Sequence, residues 1–391
     1  MLRSLYSGIS GLRSHQTMLD VTGNNIANVN TTGFKSSSVQ FQDTLSQLTR
    51  GAGAPGAEGG TNPAQVGLGV QVSGIATNFN QGSSQATGKA TDLMISGDGF
   101  FAVTNGGQTL YTRAGSFTPD AQGRLVTADG AILQGWAAVN GVIRAGGPVS
   151  DITVSNMALS SARATDSASV TGNLPAEAKE GDTLDRQISV YDATGTATPL
   201  DLKFTRTTGG WAVTAPGAAG PTDLVFNNGQ QATAPPATPA TLAVGGINVD
   251  LSRITGYTGM TSVTIDSQNG RAAGTMESFT ISKDGTVLGA FSNGAKEPVA
   301  QIAMAKFTNS AGLEKAGNSM YRITANSGGA VLGTAGIDGF GSIAAGSLEM
   351  SNVDLSQEFT NLIVAQRGFQ ANARIITTSD EVLNELTNLK R

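Results

Sequence analysis

A single histidine, His15, and no cysteine narrow the chemistry open to this 391-residue chain. One imidazole cannot build a His-based triad or a His-paired metal site, and without Cys there is no thiolate ligand, Cys nucleophile or disulfide. His15 has Met18 and Leu19 three and four residues on, the spacing of a helix face. Asp98, Asp120, Asp129 and Asp284 all stand in turn sequences such as GDG, PDAQG and ADG, where Asp bonds the local backbone. A carboxylate pair assembled by folding, as in glycosidases, stays open as an alternative, with nothing in the sequence favouring it. The stretch GFGSIA, 339–344, fits the loose dinucleotide fingerprint but no βαβ unit surrounds it. GSSQATGKA, 82–90, has five residues between its glycines and Ala after Lys, so it fails the P-loop pattern twice. Neither a cofactor nor an enzymatic activity is expected.

The elements that would position any such residues follow from composition and period. The length suits two or three domains. Charged residues make up 14%, against about 25% in a typical protein, and Gly contributes 52 residues. A surface that is small and neutral suits packing against copies of itself, although an ordinary low-charge secreted β protein would share this composition. A net charge of −5, with no Lys/Arg cluster, argues against nucleic acid. The start, MLRSLYSGISGLRSHQTMLD, lacks the apolar region and cleavage site of a secretory signal, and no run reaches the roughly 18 apolar residues of a membrane span. These absences suggest the cytoplasm, whereas the composition looks extracellular.

Near the start, Leu2, Leu5, Ile9, Leu12, Gln16, Leu19 and Ile26 follow steps of three and four; near the end, Leu355, Leu362, Phe369, Ile376 and Leu383 recur every seven residues. Both are heptad seams, each burying a narrow stripe against another helix. The spacing predicts helices over 2–28, ~40 Å long, and 355–389, ~50 Å long. Asp354 is placed to cap the second, with Gln357 completing a capping box, and Lys390 and Arg391 suit its C-terminal dipole. Antiparallel pairing would set Arg3 and Arg13 against Asp380, Glu381 and Glu385. The two helices could simply close a monomeric domain. Yet one shared seam leaves Met18, Ile363, Val364, Ile375 and Val382 uncovered, so copies meeting head to tail would generate a helical polymer. Subunit-interface residues are therefore expected at Leu2, Leu5, Ile9, Leu12, Leu19, Ile26, Leu355, Leu362, Phe369, Ile376 and Leu383.

Between helix and remainder lies VTGNNIANVNTTGFKS, 21–36. Asn tolerates the left-handed conformation and, with Thr, bonds nearby backbone, so Asn25, Asn28, Asn30, Thr32, Gly33 and Phe34 read as a joint in which Gly33 supplies any positive φ. From Val70 to Val142 the period changes to two, with turn signals GDG, NGG, PDAQG and ADG predicting hairpins. The same style returns in ESFTISKDGTVLGAF and through Gly328. The expected fold is multidomain and mainly β, with paired N- and C-terminal α-helices and nested discontinuous domains. A terminal helical domain spans 1–29 and 354–391, a connecting segment 30–69, a discontinuous β domain 70–149 and 275–353, and an inserted β domain 150–274. GAGAPGAEGG, 51–60, reads as a flexible or extended linker.

The chain resembles the axial proteins of the bacterial flagellum, and within them the hook proteins, through SGISGLRSHQTMLDVTGNNIANVNTTGFKSS, GDGFFAV, YTRAGSFTPDAQGRLVTADGAILQGW and EFTNLIVAQRGFQANARIITTSDEVLNELTNLKR. Rod proteins share the terminal motifs but are usually shorter, and the inserted domain tilts the resemblance to the hook; a distal-rod-type protein is the alternative. The resemblance implies a subunit of the curved tube that joins rod to filament as a universal joint. It implies export through the flagellar type III apparatus without a cleaved signal, and an extracellular position in the hook, which would settle the conflict over location. Implied partners are its own copies, the hook cap, the distal rod protein, the hook–filament junction protein and the hook-length control protein, with no nucleic acid and no membrane insertion. The terminal helices would form the inner tube, the β domains the outer layers, and residues about 30 to 69 the connection that stiffens or relaxes the joint. Cysteine-based crosslinking, known in some relatives, is closed to this chain. A rival of another class is an extracellular glycan-binding protein or hydrolase that uses helical ends only as anchors.

Overall fold

A computed structural model describes residues 2–54, 59–139, 141–155, 158–232 and 240–388, residue 2 by its backbone alone. Two long helices stand at the ends of an otherwise β chain: α1, Leu2–Ala27, and α2, Leu355–Asn388. The expected terminal residues Leu389, Lys390 and Arg391 lie outside the described residues, as do 55–58 of the glycine-rich stretch. Asp354 caps α2 by accepting from the backbone N–H groups of Ser356 at 2.8 Å and Gln357 at 3.3 Å. The reciprocal half of the capping box is not made, because the Gln357 amide donates forward along the helix to Asn361 at 3.1 Å.

The chain divides into two compact units: one of Met1–Val154, Thr280–Leu288 and Pro298–Arg391, the other of Ser155–Phe279 and Gly289–Glu297. In the first, α1 and α2 run antiparallel. A Cβ placed on Gly11 would sit 2.6 Å from Asn372 Oδ1, one on Gly368 would meet the His15 ring, and Asn25 reaches Glu358. Small residues let the backbones approach, so the positions sealed between the helices are Gly8, Gly11, Ser14, Ala365 and Ser379. The larger heptad side chains are displaced to the flanks of that line.

The segment expected to be a linker, 30–69, contains strands. Ser37–Asp43 pairs antiparallel with Val70–Thr77, and Ser46–Arg50 with Ala64–Gly67. The partner strand begins at residue 70, so the boundary drawn there cuts a pairing that short-range pattern does not reveal.

The central sheet of the first unit contains Ile132–Val139, Phe100–Asn105, Gln108–Thr112, Met320–Arg322 and Glu314–Gly317 as neighbours. NGG makes a two-residue hairpin: Asn105 pairs with Gln108 while Gly106 and Gly107 have φ of 57° and 81°. The PDAQG and ADG turns also join antiparallel strands. GDG does not make the expected hairpin. Leu93–Ser96 pairs instead with Ser342–Ala345, and Ser84–Ala86 with Ser347–Glu349, so strands far apart in sequence are zipped together within the first unit. GFGSIA runs into the strand Ser342–Ala345 rather than into a helix.

The second unit holds two four-stranded sheets sharing one core that includes Val170, Ile188, Leu202, Phe204, Trp211, Val213 and Leu251. In its long strand Ala197–Thr207, Leu200, Leu202 and Phe204 are buried and alternate with exposed residues, the mark of a sheet with one covered face.

Candidate functional site

The joint is held by side chains doing the work of a backbone. Asn25, 1% exposed, accepts from Ser37 N at 3.0 Å and donates to Ser37 O at 2.8 Å and Glu358 Oε1 at 3.0 Å, tying α1, the chain beyond the joint and α2 together. Asn28 donates to Asn24 O at 2.9 Å and accepts from Thr31 Oγ1 at 3.0 Å, which closes the helix end. Gly33 has φ of 67°, and a Cβ there would lie 2.5 Å from the Ala114 backbone nitrogen. Phe34 lies 5.3 Å beneath the Lys315 ammonium, which also donates to Ser37 Oγ at 2.9 Å. Burial lowers the Lys315 pKa. Among the described residues Asn30 and Thr32 make no side-chain hydrogen bond; both lie in the same turn as Asn28, Gly33 and Phe34, where Phe34 N donates to Thr31 O at 3.3 Å across Thr32.

Behind the joint sits a buried cation–anion–cation group. Lys35 Nζ is 2.5 Å from Glu349 Oε1 and 2.8 Å from Asn80 O; Arg113 lies 3.4 Å from Glu349 Oε2 and 5.3 Å over the Phe100 ring. Gly82 N donates to the same carboxylate at 2.9 Å, and Gly33 N donates to Glu349 O at 2.8 Å. Burial lowers the pKa of both cations against the raising effect of Glu349. Nearby, burial pushes the Tyr321 phenol up to about 12. Asn352 adds a clamp, accepting from Ser36 N at 2.8 Å and donating to Asn78 O at 2.8 Å and Asn80 O at 3.0 Å. Lys35 and Arg113 fall inside the stretches TTGFKSS and YTRAG, but nothing local pairs either of them with Glu349. Their one local signal is a charge set within small and apolar residues, in GFKSS, YTRAG and SLEMS, of a chain poor in charge.

The helices carry the expected interface residues. Leu5, Leu12, Leu19, Ile26, Leu362, Phe369, Ile376 and Leu383 are half-buried on the paired faces, Ile9 and Leu355 are each 40% exposed, and the Leu2 side chain lies outside the described residues. A second apolar set is open to solvent: Phe359, Ile363, Val364, Ile375, Val382 and Leu386, at 42 to 56% exposure. The opposed charges make no contact: among the described residues neither Arg3 nor Arg13 forms an ion pair with Asp380, Glu381 or Glu385. The single histidine packs at the helix crossing, its ring 6.1 Å from that of Phe41. Asp120 is held by Arg124 and Asp284 by Thr286, both as turn formers. Among the described residues no group of three or more His, Asp or Glu could hold a metal, and no helix is long and apolar enough to cross a membrane.

Three family models match the chain: flagella basal body rod protein at 5–35, flagellar hook protein FlgE/F/G D1 domain at 94–171, and flagellar basal body rod FlgEFG protein C-terminal at 344–389. The flagellar hook protein FlgE of Borreliella burgdorferi is 39% identical, and that of Treponema pallidum 37%, each alignment covering 100% of both chains. The flagellar basal-body rod protein FlgG of Bacillus subtilis is 36% identical, again over 100% of both. With its helical ends, its joint and its central strands each falling inside a flagellar model, and hook proteins matching it from end to end, the chain belongs to the flagellar hook protein family.

Proposed function

We propose that this structural subunit of the flagellar hook polymerises by burying the open apolar face of α1 and α2 in a bundle contributed by several copies, and that the resulting curved tube acts as a universal joint passing torque from rod to filament. The carrying observation is the half-covered helix pair. Within one chain the heptad seam is only partly buried, and six large apolar side chains of α2 stand beside it in solvent. Covering each would add about 1 kcal/mol, enough collectively to order a polymer. The subunit is not an enzyme in this reading: Asp120 and Asp284 serve turns, Glu349 is held in a buried ion group, and the one histidine packs at the helix crossing. Export proceeds through the flagellar type III apparatus without a cleaved signal, and the polymer stands outside the cell. Its neighbours there are the hook cap, the distal rod protein, the hook–filament junction protein and the hook-length control protein.

Negative-stain microscopy of concentrated protein tests this, with Leu19→Asp and Ile376→Asp beside wild type. Tubes from wild type and none from either variant, with the tryptophan emission of both β units unchanged, is the expected result. Normal tubes from both variants would remove the reading.

A further inference from the structure

Beside the α1/α2 crossing, α1 and the strand Val70–Thr77 enclose an open groove of about 380 Å³. Its walls include Tyr6, Ile9, Arg13 and Thr17 of α1 and Val70 and Val72 of the strand. Tyr6 and Ile9 are 68% and 40% exposed, and the exposed Arg13 is in no ion pair among the described residues. The last turns of α2 present the complementary chemistry. Val382 and Leu386 lie four residues apart and exposed, and Glu381 and Glu385, one residue before each, are exposed and in no ion pair among the described residues. Residues four apart share a helix face, so this segment offers an apolar pair edged by two carboxylates.

The chain's own α2 cannot fill its own groove. Gly11 lies level with Asn372, and the helices are antiparallel, so Arg13 is level with about residue 370. Glu385 is then some 15 residues, or about 22 Å, farther along the helix axis. Helices this long and packed do not slide by that distance. The acidic, apolar turns must come from elsewhere.

We propose that the groove takes the C-terminal turns of α2 from a second copy of this chain, with Val382 and Leu386 against Tyr6, Ile9, Val70 and Val72, and Glu381 and Glu385 facing Arg13. This deepens the polymerisation reading and rests on it. The contact joins unlike surfaces and displaces one copy by about 20 Å along the helices relative to the next. It therefore leaves a free groove at one end and a free acidic segment at the other, and propagates rather than closing.

The test uses full-length Arg13→Glu, the double variant Glu381→Arg/Glu385→Arg, and the triple combination, each measured by the critical concentration for tube formation in pelleting assays. All three sites are exposed in the monomer, so the substitutions leave the fold intact. Each charge reversal alone is expected to raise the critical concentration about tenfold, and the triple variant to return it to within about threefold of wild type. Wild-type assembly should also weaken as salt is raised. Unchanged assembly of Arg13→Glu, or a triple variant no better than either parent, overturns the groove assignment while tubes still form. A crosslink from Tyr6 to the strand pair Ser46–Arg50 and Ala64–Gly67 of a second copy would likewise overturn it. A wild-type chain that forms no tubes overturns the polymerisation reading, and this contact with it.

Discussion

Lys35 and Glu349, 314 residues apart in sequence, meet at 2.5 Å with neither side chain exposed to solvent. The pair joins the end of the joint to the strand that leads into α2, and Arg113 contributes a second cation from the central sheet. Removing the anion leaves two buried cations facing each other. Glu349→Ala should therefore destabilise the first unit by roughly 3–5 kcal/mol. Lys35→Met, which leaves Glu349 with Arg113 and the Gly82 N–H, should cost less. Urea denaturation of the monomer followed by Trp136 emission measures both; equal losses would show that the carboxylate is not the centre of the group.

Tyr321 gives the fold an alkaline limit. Its phenol ionises near 10 when unfolded and at about 12 in the folded chain, because burial disfavours the phenolate. The folded state thus holds a proton that the unfolded state has released. The contribution is fully present below pH 10 and is lost as pH rises to 12, a fall on the order of 2–3 kcal/mol. Tyr321→Phe should flatten that part of the stability–pH curve relative to wild type. Parallel curves between pH 10 and 12 would contradict the assignment.

Gly33 is constrained twice, by a φ of 67° and by the Ala114 backbone where a Cβ would stand. Gly33→Ala should cost roughly 2 kcal/mol or more. Asn relieves only the first constraint, so Gly33→Asn should recover little. Thermal unfolding of the two variants separates torsional strain from close approach: full recovery by Asn would mean that the left-handed conformation alone requires glycine.

The second unit has a core drawn wholly from residues 168–263. A fragment of residues 160–273 should fold without the rest of the chain. Its sole tryptophan, Trp211, is 3% exposed, so blue-shifted emission and a cooperative urea transition are expected. Red-shifted emission without a transition would show that this unit needs the first in order to fold.

Much of this architecture is local and was legible in the residues. Seven-residue spacing places α1 and α2, because a helix face repeats with a fixed short period. Paired glycines after Asn105 dictate a turn, because few other residues accept positive φ there. The scarcity of His and Cys limits the chemistry before any folding is considered. Other features depend on partners hundreds of residues away and have no local period. GDG resembles a hairpin turn, yet Leu93–Ser96 finds its partner at Ser342–Ala345. The leucine stripes foretell that the helices pair, but Gly8, Gly11, Ala365 and Ser379 decide how closely, because the approach of two backbones is set by the smallest side chains between them. The Lys35–Glu349–Arg113 group could be seen only once three distant segments were brought to one place, since a buried charge is stable solely through neighbours that the fold supplies.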